Sequence, residues 1–392
     1  MSRSFDNMTG PAAYIVEMGQ CLPNSAVDND AVEQVLGMVS GRPSRAKRLT
    51  LHNNGIRTRH YAIDASTGRM THNNAQLTAL AVSDALTRAD WRIADLDLLV
   101  CGTATPDQLI PAHAQMTHGE LGGARLEAVS IAGVCGAGMA ALKYAALSVR
   151  SGDIQRAVST GSELVSNFIV ARNFTPESSG QIDAAERRPG LAFEKDFLRW
   201  MLSDGAGAAL VAAAPIAGRR ALRIDWIESI SLANELPVCM YSGAIREPDG
   251  RLRGWREAPS PGDAAREHYF AIKQDARLLD DLITRLVTAD TIGAIAARRG
   301  LTPKMVDWFV PHYSSEYFKP KLANSLSDAG FTIAPEHWFS NLSRVGNVGS
   351  AAIYLMLEEL LHTNRISAGE RILCFVPESA RFSVYFMLLT VV

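Results

Sequence analysis

Residues Asp97-Leu98-Leu99-Val100-Cys101, then Thr103-Ala104-Thr105 and Gly133-Val134-Cys135-Gly136-Ala137-Gly138-Met139-Ala140-Ala141, have a second version further along the chain. It runs Asp307-Trp308-Phe309-Val310-Pro311, His312-Tyr313-Ser314, and Val345-Gly346-Asn347-Val348-Gly349-Ser350-Ala351-Ala352. Three landmarks stay in register: Asp97 and Asp307 lie 210 residues apart, Cys135 and Asn347 212, Gly152 and Gly369 217. A slow drift in one direction is what a duplicated α/β unit with small loop insertions produces. Two unrelated α/β units would share the order of strand, turn and helix but not the spacing.

Each copy has the same grammar. A helical stretch (residues 74–88; 276–299) leads to a short apolar strand (98–101; 308–310). A turn of small residues opens an alanine-rich helix (136–150; 349–362), and a further strand follows (157–160; 371–376). Strands alternating with longer helical patterns predict βαβ units around buried, largely parallel sheets. The helix from Gly136 has too few large side chains for a surface helix with one apolar stripe, so it is expected between two sheets. Residues 167–199 and 236–266 lack clean periodicity and exceed ordinary loop length. Their aromatic and apolar residues (Phe168, Phe174, Phe193, Phe197, then Met240, Tyr241) predict packed elements covering a site or a subunit interface.

Composition narrows the function classes. With 392 residues, 47% hydrophobic and 20% charged, the chain is a folded protein of two domain-sized units. Lys plus Arg number 39 against 41 Asp plus Glu, a net charge of -2, which leaves no electrostatic footprint for nucleic acid or an anionic membrane. The five cysteines show no C-x-x-C spacing, so neither a disulfide framework nor a zinc site is expected, and free thiols in a reducing cytoplasm are. The start, Met-Ser-Arg-Ser-Phe-Asp-Asn-Met, is polar and no apolar run nears the ~18 residues of a membrane span, so neither export nor anchoring is expected.

Of the cysteines, Cys135 alone stands in a glycine-rich approach to a helix. Unpaired N–H groups and the helix dipole are expected to favour thiolate there, lowering its pKa and making Cys135 a nucleophile with backbone donors for an oxyanion. His312 directly follows the second copy's strand, at the sheet edge where ligand sites of α/β folds gather. Asn347 holds in the second copy the place of Cys135 in the first. If the halves pack about a pseudo-dyad, a thiol, an imidazole and an amide meet where two helix N-termini converge. The other eight histidines sit in helical or polar sequence and are expected at the surface or as caps, and no clustered spacing suggests a metal.

These motifs resemble the β-ketoacyl carrier-protein synthase III group of the thiolase superfamily. The resemblance rests on the Gly-x-Cys-x-x-Gly turn, the strand ending Val-Pro-His, and Gly-Asn shortly before Gly-Ser-Ala-Ala. Asn54-Gly55-Ile56-Arg57-Thr58-Arg59 and Ser203-Asp204-Gly205-Ala206-Gly207 add to it. It implies a duplicated thiolase-like fold, layered α/β/α/β/α, with halves at residues 1–218 (cysteine and a lid insertion) and 219–392 (histidine and asparagine). It implies that Cys135 takes an acyl group from a CoA or carrier-protein thioester and that His312 and Asn347 stabilise the enolate of a second thioester in a Claisen condensation. No cofactor is implied. A homodimer is, with Leu109 and Ile110 crossing toward the partner's acyl tunnel; otherwise they form an ordinary surface loop. An acidic carrier protein is expected to dock at Lys319 and Lys321, unless these form a solvated helix face.

The chain departs from the family's fatty-acid enzymes in two places. Tyr313-Ser314-Ser315 replaces the usual Gln-Ala-Asn after the histidine, and Val376-Pro377-Glu378-Ser379-Ala380-Arg381 replaces a glycine-rich turn. Both look more like the secondary-metabolism branch that condenses and cyclises β-ketoacyl units to dialkylresorcinols or cyclohexanediones. Glu378 is then either an accessory base in ring closure or a turn residue paired with Arg381 or Arg344. The competing readings of the whole chain are an acyltransferase that passes the Cys135-bound acyl group to an alcohol or amine, and a non-catalytic heterodimer partner.

Overall fold

The computed structural model describes residues 11–41, 43–44, 47–174 and 198–392. Nine strands form one mixed sheet: β1 (Tyr14–Cys21), β2 (Leu98–Thr103), β3 (Glu127–Ala132), β4 (Arg156–Glu163), β5 (Gly205–Ala212), β6 (Leu222–Ser231), β7 (Trp308–Pro311), β8 (Arg371–Glu378) and β9 (Ser383–Val391). Their order is β7-β8-β9-β6-β1-β5-β4-β2-β3. The two ends of this order repeat one pattern. In the first half β2 runs parallel to β3 and β4, β4 antiparallel to β5, and β5 antiparallel to β1. In the second, β7 runs parallel to β8, β8 antiparallel to β9, and β9 antiparallel to β6. In the position of β3 the second half has only a parallel bridge between Phe309 and Trp338.

The two expected sheets are continuous, because β1 and β6, the last strands of their halves, meet at one corner. The seam is short: Tyr14 pairs with Arg223 and Ile15 with Leu222.

Seven helices position the site: α1 (Asn74–Ala89), α2 (His113–Leu121), α3 (Gly136–Ser151), α4 (Ala276–Leu282), α5 (Ala294–Arg299), α6 (Lys319–Asp328) and α7 (Ala352–His362). Three apolar cores show how they layer. α3 and α7 share the central core, Met139, Leu142 and Val149 meeting Ile353, Leu357 and Leu360 between residues of both half-sheets. α1 and α2 cover the outer face of the first half through Leu77, Val82 and Ala114. α4, α5 and α6 cover the second through Leu279, Ile295, Leu322 and Leu326. α1 starts cleanly because Asn73 and Gln76 form a reciprocal capping box, and it ends on Asp90 in the left-handed conformation.

The expected helix over residues 276–299 is broken. α4 passes into a 3-10 turn at Ile283–Leu286 and a π turn at Ala289–Gly293 before α5 begins. The hydroxyl of Thr291 donates to the Leu286 carbonyl and its oxygen accepts from the Thr288 N–H, a local competitor for the helical ladder. The insertion expected at 236–266 runs on to Gln274 and is built from short pairs, Ala244–Arg246 with Leu252–Gly254 and Met240–Tyr241 with Lys273–Gln274. Phe193 and Phe197 lie outside the described residues. No helix among the described residues is long and apolar enough to cross a membrane.

One ionic cluster ties the halves together at the far end of α7. His362 Nε2 lies 2.7 Å from Glu17 of β1, and His362 Nδ1 lies 3.0 Å from Glu358. Arg88 of α1 pairs with Glu358 at 2.8 Å and with Asp84 at 3.0 Å. Hydrogen bonds to Glu17 and Glu358 raise His362 from 6.5 to about 9. A raised folded-state value means that the cluster's contribution is complete below pH 6.5 and is lost as pH climbs through about 9. His362→Gln is expected to cost about 1–2 kcal/mol near pH 6 and much less near pH 9.5, read as the difference in urea midpoint between the two pH values.

Candidate active site

A cavity of about 480 Å³ opens where the two halves meet, and Cys135, His312 and Asn347 all stand in its wall. Each arrives by its own device. Cys135 occupies the position just before α3 with helical backbone (φ -53°, ψ -31°). His312 follows β7, where its N–H donates to the Phe375 carbonyl of β8 at 2.7 Å. Asn347 is strapped to the first half: its N–H donates to the Met201 carbonyl and its carbonyl accepts from Ser203 N–H, both at 2.9 Å. Its side-chain Oδ1 accepts from Gly349 N–H at 3.0 Å, which leaves Nδ2 as the amide atom available to the cavity.

The segment that straps Asn347 is held by the arginine motif of the N-terminal region. Arg59 is fully buried and its guanidinium donates to the Trp200 carbonyl, which also accepts from Asn54 Nδ2 at 2.8 Å. Asp204, also buried, accepts from the N–H groups of Ala62, Val165 and Ser166 at 2.7–2.8 Å. The two supporting motifs seen in sequence therefore brace the cavity wall from behind.

Two helix starts converge because their first turns touch. A Cβ on Gly138 would lie 2.3 Å from the Ser350 carbonyl oxygen, so only glycine fits. Next to this contact the hydroxyl of Tyr354 donates to the Gly138 carbonyl at 2.9 Å and pairs with Ser159 at 2.7 Å. Away from the polar end the cavity is apolar. Leu279, Ile283, Phe318 and Leu322 line it from the cover of the second half, Met240 and Ile272 from the insertion, and Phe168 and Met201 from the first half.

Electrostatics reverse one expectation. The Cys135 thiol is pushed up, by burial first and then by the negative charges of Glu163 and Glu378, the opposite direction to that expected from the helix start. Burial holds His312 down at about 4, so near neutrality it is an uncharged imidazole offering one N–H donor. Glu163 was not singled out from sequence. It lies in the cavity wall, and burial raises its carboxyl to about 7. A signal for it existed: it ends β4 as Glu378 ends β8, 215 residues on, within the drift of the duplication.

Glu378 is placed differently. Its Oε1 accepts from Ala380 N–H at 2.7 Å and its Oε2 from the Ser383 hydroxyl at 3.2 Å, whereas Pro377, Ser379 and Ala380 line the cavity. The expected pairing with Arg381 or Arg344 does not form: Arg381 donates to the Ala233 carbonyl, and Arg344 pairs with Glu359. Lys319 and Lys321 begin α6 with acidic partners already at hand, Glu316 at 3.8 Å and Asp280 respectively. Leu109 and Ile110 protrude, 68% and 85% exposed. Among the other histidines, His113 is not at the surface. It is buried against Thr78 and Ser162, because α2 turns it inward under the first half-sheet. Cys374 is buried within β8, in the central core.

With the geometry in place, comparisons with known proteins agree on a class. Residues 54–198 match the thiolase N-terminal domain and residues 296–376 the 3-oxoacyl-[acyl-carrier-protein] synthase III C-terminal domain. Both halves of the chain thus match condensing enzymes of the thiolase superfamily and of the β-ketoacyl synthase III type, and this likeness supports a thioester-condensing activity. Its relatives include the β-ketoacyl-[acyl-carrier-protein] synthase III of Gloeobacter violaceus, 27% identical over 76% of this chain and 78% of that one. Among solved structures, cerulenin-bound OleA of Xanthomonas campestris superposes with a TM-score of 0.74 over the whole of both chains at 19% identity. AbyA1, described as a tetronic acid condensing enzyme, superposes with a TM-score of 0.73 over 97% of this chain and 99% of its own at 22% identity.

The raised thiol gives a direct expectation. Alkylation of Cys135 by iodoacetamide should be slower near neutrality than that of an ordinary cysteine, and its rate should still be rising above pH 9.0, the usual value for the group. A plateau well below pH 9.0, followed by peptide mass spectrometry, would show the opposite balance of helix dipole over carboxylates.

Proposed function

We propose that Cys135 carries the acyl group of the first thioester and that His312 and Asn347 donate hydrogen bonds to the enolate oxygen of the second. The observation that carries this reading is the meeting of a thiol, a neutral imidazole and a free amide nitrogen in one wall of one cavity. A thioester is opened by a sulfur nucleophile, and an enolate needs donors that carry no negative charge. The thioesters arrive on CoA or on an acyl carrier protein, and the apolar end of the cavity accepts an acyl chain. The chain works in secondary metabolism, joining acyl or β-ketoacyl units and closing them to a resorcinol or cyclohexanedione ring. Support for this finer reading comes from the turn 376–381, which brings Pro377 and Ser379 to the cavity, and from the likeness in fold to AbyA1. Five free thiols suit a reducing compartment such as the cytoplasm.

The test is incubation of the purified protein with acyl and β-ketoacyl thioesters, with protein and products read by mass spectrometry. Cys135→Ala is expected to lose the acyl adduct altogether. His312→Ala and Asn347→Ala are expected to form the adduct yet to make product about 10²–10³-fold more slowly, the usual loss for one donor to an oxyanion. An adduct on Cys135→Ala, or product from the two donor variants at the wild-type rate, overturns the assignment.

The proposed assembly is a homodimer with Leu109 and Ile110 in the interface. Their exposure supports this, since two adjacent large aliphatics in water are better covered by a second copy. Leu109→Asp with Ile110→Asp should shift a dimer toward monomer in sedimentation velocity at micromolar concentration, and a wild-type monomer there would refute the assembly.

A further inference from the structure

Glu163 is buried at the end of β4, yet it forms part of the cavity wall that holds Cys135. Its carboxylate bridges the two halves. Oε2 accepts from the Thr105 hydroxyl at 2.8 Å, Oε1 from the Ser350 N–H at 3.2 Å, and both lie within 3.3 Å of the Ala104 N–H. Gly349, at φ +50°, leaves the room: a Cβ there would sit 2.9 Å from Glu163 Cγ. Two of the three donors, the Ser350 and Ala104 N–H groups, are fixed backbone donors to an anion, and the third, the Thr105 hydroxyl, can turn from donor to acceptor when the carboxyl takes a proton.

We propose that Glu163 takes the α-proton of the second thioester and later returns it to the Cys135 sulfur, so that the donor enters condensation with no carboxylate to lose. This rests on the condensing reading above. The C–H bond breaks with its proton passing to the Glu163 carboxylate, and its electron pair becomes the enolate held by His312 and Asn347. The enolate carbon bonds to the acyl carbonyl carbon, the carbon–sulfur bond to Cys135 breaks with its pair on sulfur, and the Glu163 proton neutralises that sulfur. Proton and electrons balance without a further reactant. A carboxyl raised to about 7 by burial is suited to both transfers, and a thiol held up by burial and by the nearby carboxylates is a ready proton acceptor once released. The other titratable groups around the site do not substitute for it. His312 is held neutral at about 4, burial raises Tyr313, and Glu378 is closed onto Ala380 and Ser383.

The test uses hexanoyl-N-acetylcysteamine in heavy water, with α-deuterium uptake read by mass spectrometry on the single thioester. The wild type is expected to exchange the α-position, and Glu163→Gln to exchange it at least about 100-fold more slowly. In the same variant iodoacetamide should alkylate Cys135 faster near neutrality, because one of two charges opposing the thiolate is gone. A purely structural role predicts that exchange and alkylation fall together, and that result overturns the proposal. So does wild-type exchange in Glu163→Gln, or no exchange by the wild type; carbon–carbon product from a malonyl-type donor would then leave the condensing reading standing alone. If Glu163→Gln does not fold, Thr105→Val removes one donor to the carboxylate and should move the acid limb of exchange to higher pH; an unmoved limb overturns the proposal.

Discussion

Two helices can bring their first turns to one point only if nothing stands between them, and in this chain the contact of Gly138 with the Ser350 carbonyl meets that condition. The closeness fixes the separation of α3 and α7, and with it the distance between Cys135 and Asn347, which lead into those helices. Tyr354 secures the contact by spending its buried hydroxyl on Gly138 and Ser159. The half-sheets then close over the helix pair from either side. Because each half-sheet delivers a strand end to the same level, the polar end of the cavity is assembled from both halves, with neither owning it.

The duplication also explains the carboxylates. Glu163 and Glu378 end equivalent strands and both act on the Cys135 thiol, but their surroundings have diverged. Around Glu163 the donors come from both halves, Thr105 and Ala104 from its own and Ser350 from across the pseudo-dyad, and the carboxylate faces the cavity. Around Glu378 they come from its own turn, and the carboxylate is folded away from it. One site position has thus been kept twice and put to two uses, which makes the pair of carboxylates an electrostatic frame for the thiol rather than a symmetric catalytic pair.

Much of this was legible in the sequence wherever register mattered. Asp97 and Asp307, or Cys135 and Asn347, mark the same places in a repeated unit, so the meeting of Cys135, Asn347 and His312 follows from folding the copies about one axis. Legibility failed where the outcome depends on a balance of energies. The glycine-rich helix start around Cys135 suggests a lowered thiol pKa, yet burial and two carboxylates distant in sequence push the thiol up. The apolar spacing over residues 276–299 suits a helix, yet the Thr291 hydroxyl diverts the backbone into tighter and wider turns. Glu163 was hidden because a glutamate after Gly161 and Ser162 reads as the polar end of a strand until its mate at Glu378 is noticed.

The shared central layer also bears on how the protein is made. α3 is complete once residue 151 has been synthesised, but α7, which covers its inner face, is not complete until residue 362. At ~5–20 residues per second the nascent first half must wait about 10–40 s with that alanine-rich face uncovered. During this interval another nascent chain can offer the same packing as the missing helix. The small side chains that let the two helices meet so closely also keep that waiting surface weakly adhesive, since little apolar area is presented per turn.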